Sequence, residues 1–281
     1  MPHKDPARRK AYYEENKEKN KEKRRKYFAK YYESNTEKRK ESDANRLQDR
    51  KQSACESIKT GEIIDRYKWD MWCKEIKRCA KNKKQTYSDD FTNDVMFGKM
   101  IIGCFYCGDI ATTIDRIDSK LEHTEENCVA SCHGCNMSKG VADPSTFIRK
   151  AYYRAREKYY DDDTNIWFVH KNKPNLSVYK TRAKKKGVSF DLTKEDWERL
   201  IDGDCMYCKR RPATWFGVDR VIPSRGYVFD NVVSCCFDCN LDKLDGDVES
   251  MIARNKRIAD RVDACELIIT ECEKVILHKN K

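Results

Sequence analysis

Residues 104–140 read CFYCGDIATTIDRIDSKLEHTEENCVASCHGCNMSKG, and residues 205–243 read CMYCKRRPATWFGVDRVIPSRGYVFDNVVSCCFDCNLDK. The two segments are versions of one pattern. Both open with C-x-Y-C, then carry Ala-Thr, an Asp-Arg pair, an Asn, a C-x-x-C and an Asn directly after the last cysteine. Asp115 to Asn136 is 21 positions, as is Asp219 to Asn240, and Asn127 to Cys132 is five, as is Asn231 to Cys236. The second copy has three extra residues between its first cysteine pair and its Asp. Upstream, Ala80-Lys81 and Tyr87 match Ala183-Lys184 and Phe190 in spacing. Each repeat is therefore on the order of a small domain.

Paired C-x-x-C spacings in a reducing compartment are the ligand set of tetrahedral zinc. The first set is Cys104, Cys107, Cys132 and Cys135, and the second is Cys205, Cys208, Cys236 and Cys239. The repeat selects Cys236 over its neighbour Cys235, because Cys235 aligns with Ser131. Four thiolates fill the shell, so both zinc ions are expected to be structural. The alternative is two disulfides per copy. The chain holds 15 cysteines, and the remaining ones are expected to be small buried hydrophobes or bystanders.

The 281 residues carry 58 Lys/Arg and 47 Asp/Glu, a net charge of +11. Residues 1–60 hold 19 Lys/Arg against 11 Asp/Glu, so most of the excess sits in one arm. That arm is rich in helix formers and poor in aliphatic residues, which predicts a basic helical or disordered segment without its own core. Its functional reading is phosphate tracking through Arg8, Arg9, Lys10, Arg24, Arg25 and Lys26. The alternative is a solvated charged tail. Lys139 and Lys243, at the ends of the repeats, are further candidate nucleic-acid contacts. No apolar run approaches the roughly 18 residues of a membrane span. MPHKDPARRK does not lead into an apolar stretch, so an intracellular, reducing compartment is expected: host nucleus or cytoplasm, or a virion if the protein is viral.

The expected organisation is a basic arm over 1–60, a first zinc module over 61–148, a helical linker over 149–175, a second module over 176–246 and an amphipathic helix over 247–281. In the last helix Ile258, Val262, Cys265, Ile269, Cys272 and Ile276 form a heptad seam. It would pack on the body of the protein or support self-association. In the linker, IWFVH (166–170) reads as a short strand.

The succession of C-x-x-C, Asp-plus-one, Asn and C-x-x-C-Asn resembles the HNH or ββα-metal endonucleases of phages and large DNA viruses, the endonuclease VII type included. The resemblance covers roughly 87–140 and 190–243. It implies an α+β chain of two tandem zinc-stapled ββα-metal modules, flanked by the basic N-terminal helix and the C-terminal heptad helix. It also implies that a magnesium or manganese ion sits between hairpin and helix. The matching ligands are Asp115 and Asn136, and Asp219 and Asn240, with Asn127 and Asn231 holding the hairpin loops. An oxygen-lined magnesium keeps several waters, leaving room for a scissile phosphate.

One position departs from the family. The residue after the Asp, ordinarily a general-base His, is Arg116 or Arg220 here. Arginine stays protonated and cannot serve as base, but it can clamp a phosphate. His123, and Tyr227 at the equivalent spacing, are the substitute bases on offer; the alternative for each is an ordinary hairpin residue. The leading expectation is a divalent-metal-dependent endonuclease with an altered base, acting on double-stranded or branched DNA. Two others stand beside it: a catalytically silent DNA-binding protein of the same fold, and a structural or virion-assembly protein that uses zinc modules and long helices as connectors.

Overall fold

The structure, a computed structural model, describes residues 6–82, 85–157, 166–244 and 246–267. Helix α1, Pro6–Thr60, runs for 55 residues with no apolar face along most of its length. No Gly or Pro interrupts it after its first residue, and its Glu, Lys and Arg favour helix. Among its described side chains, the buried ones lie at its end. Ala54 and Ile58, four apart, are buried with Ser57 against helix α2, Arg66–Asn82. The boundary expected at residue 60 is therefore crossed, since the last turns of α1 belong to the first module's core.

Helix α2 brings Trp69, Cys73 and Ala80 to one buried face. Helix α3, Asn93–Met100, starts at Thr92, whose hydroxyl accepts from the Val95 amide. Strands β1, Thr113–Arg116, and β2, Cys128–Ser131, form an antiparallel hairpin with Asp115 opposite Val129. Helix α4, His133–Lys139, follows directly. Trp69, Phe91, Met96, Met100, Ile114 and Ala130 make the core beneath.

The same order recurs. Helices α6, Leu176–Lys186, and α7, Lys194–Asp202, precede strands β3, Gly217–Arg220, and β4, Val232–Cys235, with Asp219 opposite Val233; helix α8, Phe237–Lys243, closes the unit. A parallel bridge joins Tyr87 to His123 in one module and Phe190 to Tyr227 in the other. The sequence repeat is thus a repeat of structure: a mixed α+β chain with two small sheets in tandem.

Helix α5, Pro144–Arg156, begins before the expected linker and is not a free spacer. It buries Phe147, Ile148 and Ala151 against helix α9, Val248–Asp263. IWFVH forms no strand. The Phe168 amide donates to the Asp238 carboxylate at 2.9 Å in place of a ladder carbonyl, and the Trp167 ring lies 3.7 Å from the Arg210 guanidinium. Helix α9 starts after its cap Asp247 and buries the seam residue Ile258 against the body of the protein. The expected seam then breaks. The helix ends at Asp263, Cys265 turns outward at φ 57°, and Leu267 fills the core instead. Ile269, Cys272 and Ile276 lie outside the described residues. Among the described residues, no helix is long and apolar enough to cross a membrane.

The modules meet around Asp242 of α8. Its carboxylate accepts from Arg254 at 2.8 Å, Asn255 at 2.5 Å and Arg154 at 3.3 Å. Its backbone carbonyl accepts from Ser138 of α4 at 3.2 Å, so both modules and both packing helices converge on one residue. Burial alone would raise this carboxyl group, but Arg154 and Arg254 overcome that and hold it below the ordinary carboxylate range. Removing the carboxylate strands two buried guanidinium groups. Asp242→Ala is expected to cost about 3–5 kcal/mol of stability, measured by urea unfolding at fixed zinc.

Candidate metal centres and hairpin sites

Each sulfur quartet forms from two short-range pieces. A knuckle turn presents the first pair, and the first turn of a helix presents the second. Cys132 caps α4 and Cys236 caps α8, each sulfur accepting from the amide three residues on, Cys135 or Cys239, at 3.3 Å. The ligand sulfurs of Cys104, Cys107, Cys132 and Cys135 all lie within 4.8 Å of one another, as do those of Cys205, Cys208, Cys236 and Cys239. Cys107 and Cys132 are 3.7 Å apart at sulfur, and Cys208 and Cys236 are 3.9 Å apart. Sulfurs about 2.3 Å from a common tetrahedral centre would sit roughly 3.8 Å from each other. Both groups are therefore compatible with structural zinc. Hydrogen bonds from neighbouring thiols, Cys208 first, hold Cys205 down to about 3.

Cys235 stays outside its quartet. Its thiol donates to the Cys236 carbonyl at 3.3 Å, as the hydroxyl of its counterpart Ser131 donates to the Cys132 carbonyl at 3.1 Å. Positive charge gathers where the quartets concentrate negative charge. The Arg254 side chain packs so closely on Gly134 that a Cβ there would stand 2.7 Å from its Nη1. The guanidinium groups of Arg154 and Arg210 stay protonated beside the second quartet: Asp242 and then the cysteines offset the burial of Arg154, and Cys236 and Cys208 that of Arg210.

The two middle asparagines hold the hairpin loops in the same way. Asn127 accepts from the Asp118 amide at 2.9 Å and donates to the carbonyls of Asp118 and Glu122. Asn231 accepts from the Ile222 amide at 3.0 Å and donates to the carbonyls of Ile222 and Gly226. All of these bonds are to backbone, so the asparagines are staples of the loop and do not face an open site.

The candidate divalent-metal positions are filled from within. Asp115 is buried; its Oδ2 accepts from Tyr106 at 2.6 Å, and its Oδ1 meets the Lys139 ammonium at 3.2 Å. Lys139 also donates to the Arg116 carbonyl at 2.9 Å. In the second module Asp219 Oδ2 accepts from Tyr207 at 2.7 Å and meets Lys243 at 3.3 Å, and Lys243 donates to the Arg220 carbonyl at 3.1 Å. The lysine side chains are 0% and 1% exposed, so neither can reach a nucleic acid, contrary to the sequence expectation. The reason is charge: a carboxylate removed from water needs a cation, and the lysine one helical turn after the Asn supplies it. Burial raises the Asp115 carboxyl, against the pull of Lys139 and Tyr106. Asn136 donates to Thr113 Oγ1 at 3.0 Å and to the Ile114 carbonyl, whereas Asn240 is exposed.

The arginines beside these aspartates are not free phosphate clamps either. Arg116 donates to the Leu121 carbonyl at 2.7 Å, and Arg220, itself buried, donates to the carbonyls of Pro223 and Arg225. His123 is buried, stacks on Tyr87 at 4.0 Å and uses Nδ1 toward the Thr86 carbonyl at 3.0 Å. Tyr227 packs on Phe190 at 5.3 Å under the Arg220 guanidinium. Both substitute bases are thus hairpin packing groups. On α1, Arg25 and Lys26 are exposed and lie near Glu22, while the side chains of Arg8, Arg9, Lys10 and Arg24 fall outside the described residues.

One feature went unread in the sequence. Helix α6 carries Lys180, Arg182, Lys184, Lys185 and Lys186 with no acidic residue. Arg182, Lys185 and Lys186 line a cleft of about 850 Å³ beside α8 that also reaches Asp219, Tyr227 and Asn240. The run of lysines was the available signal.

No protein-family model and no solved structure matches this chain. An uncharacterized protein of Acanthamoeba polyphaga mimivirus is 33% identical over 165 residues, covering 56% of this chain and 31% of that protein. The chain thus spans about a third of the length of this relative.

Two measurements follow from the geometry. Elemental analysis is expected to give two zinc ions per chain; Cys236→Ser should reduce this to one, and Cys235→Ser should leave it unchanged. Burial holds His123 below its ordinary 6.5, so the fold keeps it neutral while the unfolded chain takes up a proton. Stability from this group is complete above 6.5 and is lost as pH falls from there through the folded-state value. His123→Tyr, the residue of the second module, should flatten that part of the melting-temperature profile; an unchanged profile would contradict it.

Proposed function

We propose that this chain is a zinc-stapled nucleic-acid-binding protein built of two HNH-like ββα modules whose hydrolytic centres are closed. The order of knuckle, antiparallel hairpin and short helix, present twice, supports the HNH-like reading. The observation that carries the closed reading is the lysine ammonium on Asp115 and on Asp219. A hydrolytic metal needs a carboxylate with lone pairs to give and coordination positions open to water and phosphate. Tyr106 and Lys139 take both oxygens of Asp115. An ammonium group brings charge but no Lewis acidity and no activated water. Arg116 and Arg220 are committed to hairpin carbonyls and supply no base.

Two zinc ions serve this function by shaping the modules, and nucleic-acid binding draws on the net charge of +11. The cleaving alternative has one observation in its favour: Asp219 and Asn240 line the same open cleft in the second module. A viral setting, with the protein in the host cell or in the virion, accords with the mimivirus relative.

The test is a plasmid incubated with wild-type protein in magnesium or manganese. No nicking is expected, together with retarded mobility that weakens steeply with salt. Nicking that disappears in Asp115→Asn/Asp219→Asn would replace this reading with the nuclease one.

A further inference from the structure

Resting on the nucleic-acid reading above, we infer that the cleft between α6 and α8 is a binding site for single-stranded nucleic acid. Its two walls differ in kind. One is helix α6, whose Arg182, Lys185 and Lys186 face the cleft, and among the described residues none of them forms an ion pair. Cations in the last turn oppose the helix dipole favourably, but that places them without neutralising them. Cations this dense on one helix repel each other, and a polyanion relieves that repulsion.

The other wall sets apolar groups open to solvent among polar ones, Asn240 and the Asp219–Lys243 pair included. Met137, Phe237 and Leu241, from α4 and α8, are 45%, 43% and 40% exposed and line the same cleft. The buried contacts between α4 and α8 bring these residues from two modules to one surface. A site that pairs a cationic track with an apolar and aromatic platform matches a strand whose phosphates lie on one side and whose unstacked bases lie on the other. A duplex keeps its bases stacked inside and would leave the platform bare. The cleft, about 850 Å³, has room for a few nucleotides. Asp247 stands at the rim, where it caps α9 through Ser250, and its carboxylate is occupied by that amide and hydroxyl. The proposal therefore adds a strand preference and named contacts to the general reading; its cations are those of α6, while Lys243, at the floor of the cleft, is held by Asp219.

Fluorescence anisotropy with the zinc-loaded 281-residue chain tests it, using a labelled single-stranded oligonucleotide of mixed sequence and the blunt duplex of the same sequence. The single strand is expected to bind at least fivefold tighter. Arg182→Ala/Lys185→Ala/Lys186→Ala should weaken it at least tenfold and make its salt dependence shallower. Phe237→Ala should weaken it several-fold. Because Phe237 adjoins a zinc ligand, Leu241→Ala, which leaves the quartet alone, gives the same test on a second residue. Zinc content and melting temperature confirm that each variant is folded. Equal or tighter duplex binding, or binding that ignores the triple variant, overturns the cleft assignment and leaves the general nucleic-acid reading intact. Failure of the wild type to bind either form defeats that general reading, and this inference with it.

Discussion

The gathering of four sulfurs at one point is the constraint on which each module depends. The strands are four residues long, and a two-stranded hairpin of that size has little stability alone. Each sulfur quartet, compatible with structural zinc, joins the knuckle to the helix N-terminus with the hairpin between them, and the helix cap is itself one of the four cysteines. The buried charge this creates has consequences elsewhere. Two cysteine quartets and several buried aspartates stand beside the cations Arg154, Arg210, Arg254, Lys139 and Lys243. The chain's interior is therefore unusually ionic, and its apolar clusters are small and separate.

That ionic interior also decides the chemistry. The aspartate on the first strand of each hairpin stands at the position where a divalent cation was expected. It holds a lysine instead, braced by a tyrosine from the C-x-Y-C knuckle. The tyrosine and lysine recur at equivalent positions in both copies, so the arrangement belongs to the repeat and not to one local accident. A permanent organic cation stabilises the fold without offering coordination sites. The arginine that follows each aspartate extends the same theme, fastening the hairpin loop that the middle asparagine also holds.

The contact between modules adds what neither module has alone. Asp242 ties α8 to α5, α9 and α4, and in doing so sets the apolar faces of α4 and α8 side by side. With α6 opposite, this makes a surface of mixed character at the junction. Helix α5, which reads as a spacer in the linear sequence, is a packing element of that junction, because Phe147, Ile148 and Ala151 share a face only when the chain is helical.

Spacing alone was enough to group the eight cysteines of the two quartets, to find the duplication and to choose Cys236 over Cys235, and the last helix was expected to start near Asp247, where its cap lies. These features are local: a knuckle, a cap or a repeat is encoded within a few residues. The fates of Lys139, Lys243, Arg116, Arg220 and His123 were not legible in the same way. A lysine on a short helix reads as a surface cation until the fold shows the buried carboxylate it faces, 24 residues away in the chain. The break in the C-terminal seam and the loss of the IWFVH strand have the same origin. Whether a side chain is solvated or paired depends on groups brought together from distant elements, and only packing in three dimensions decides that.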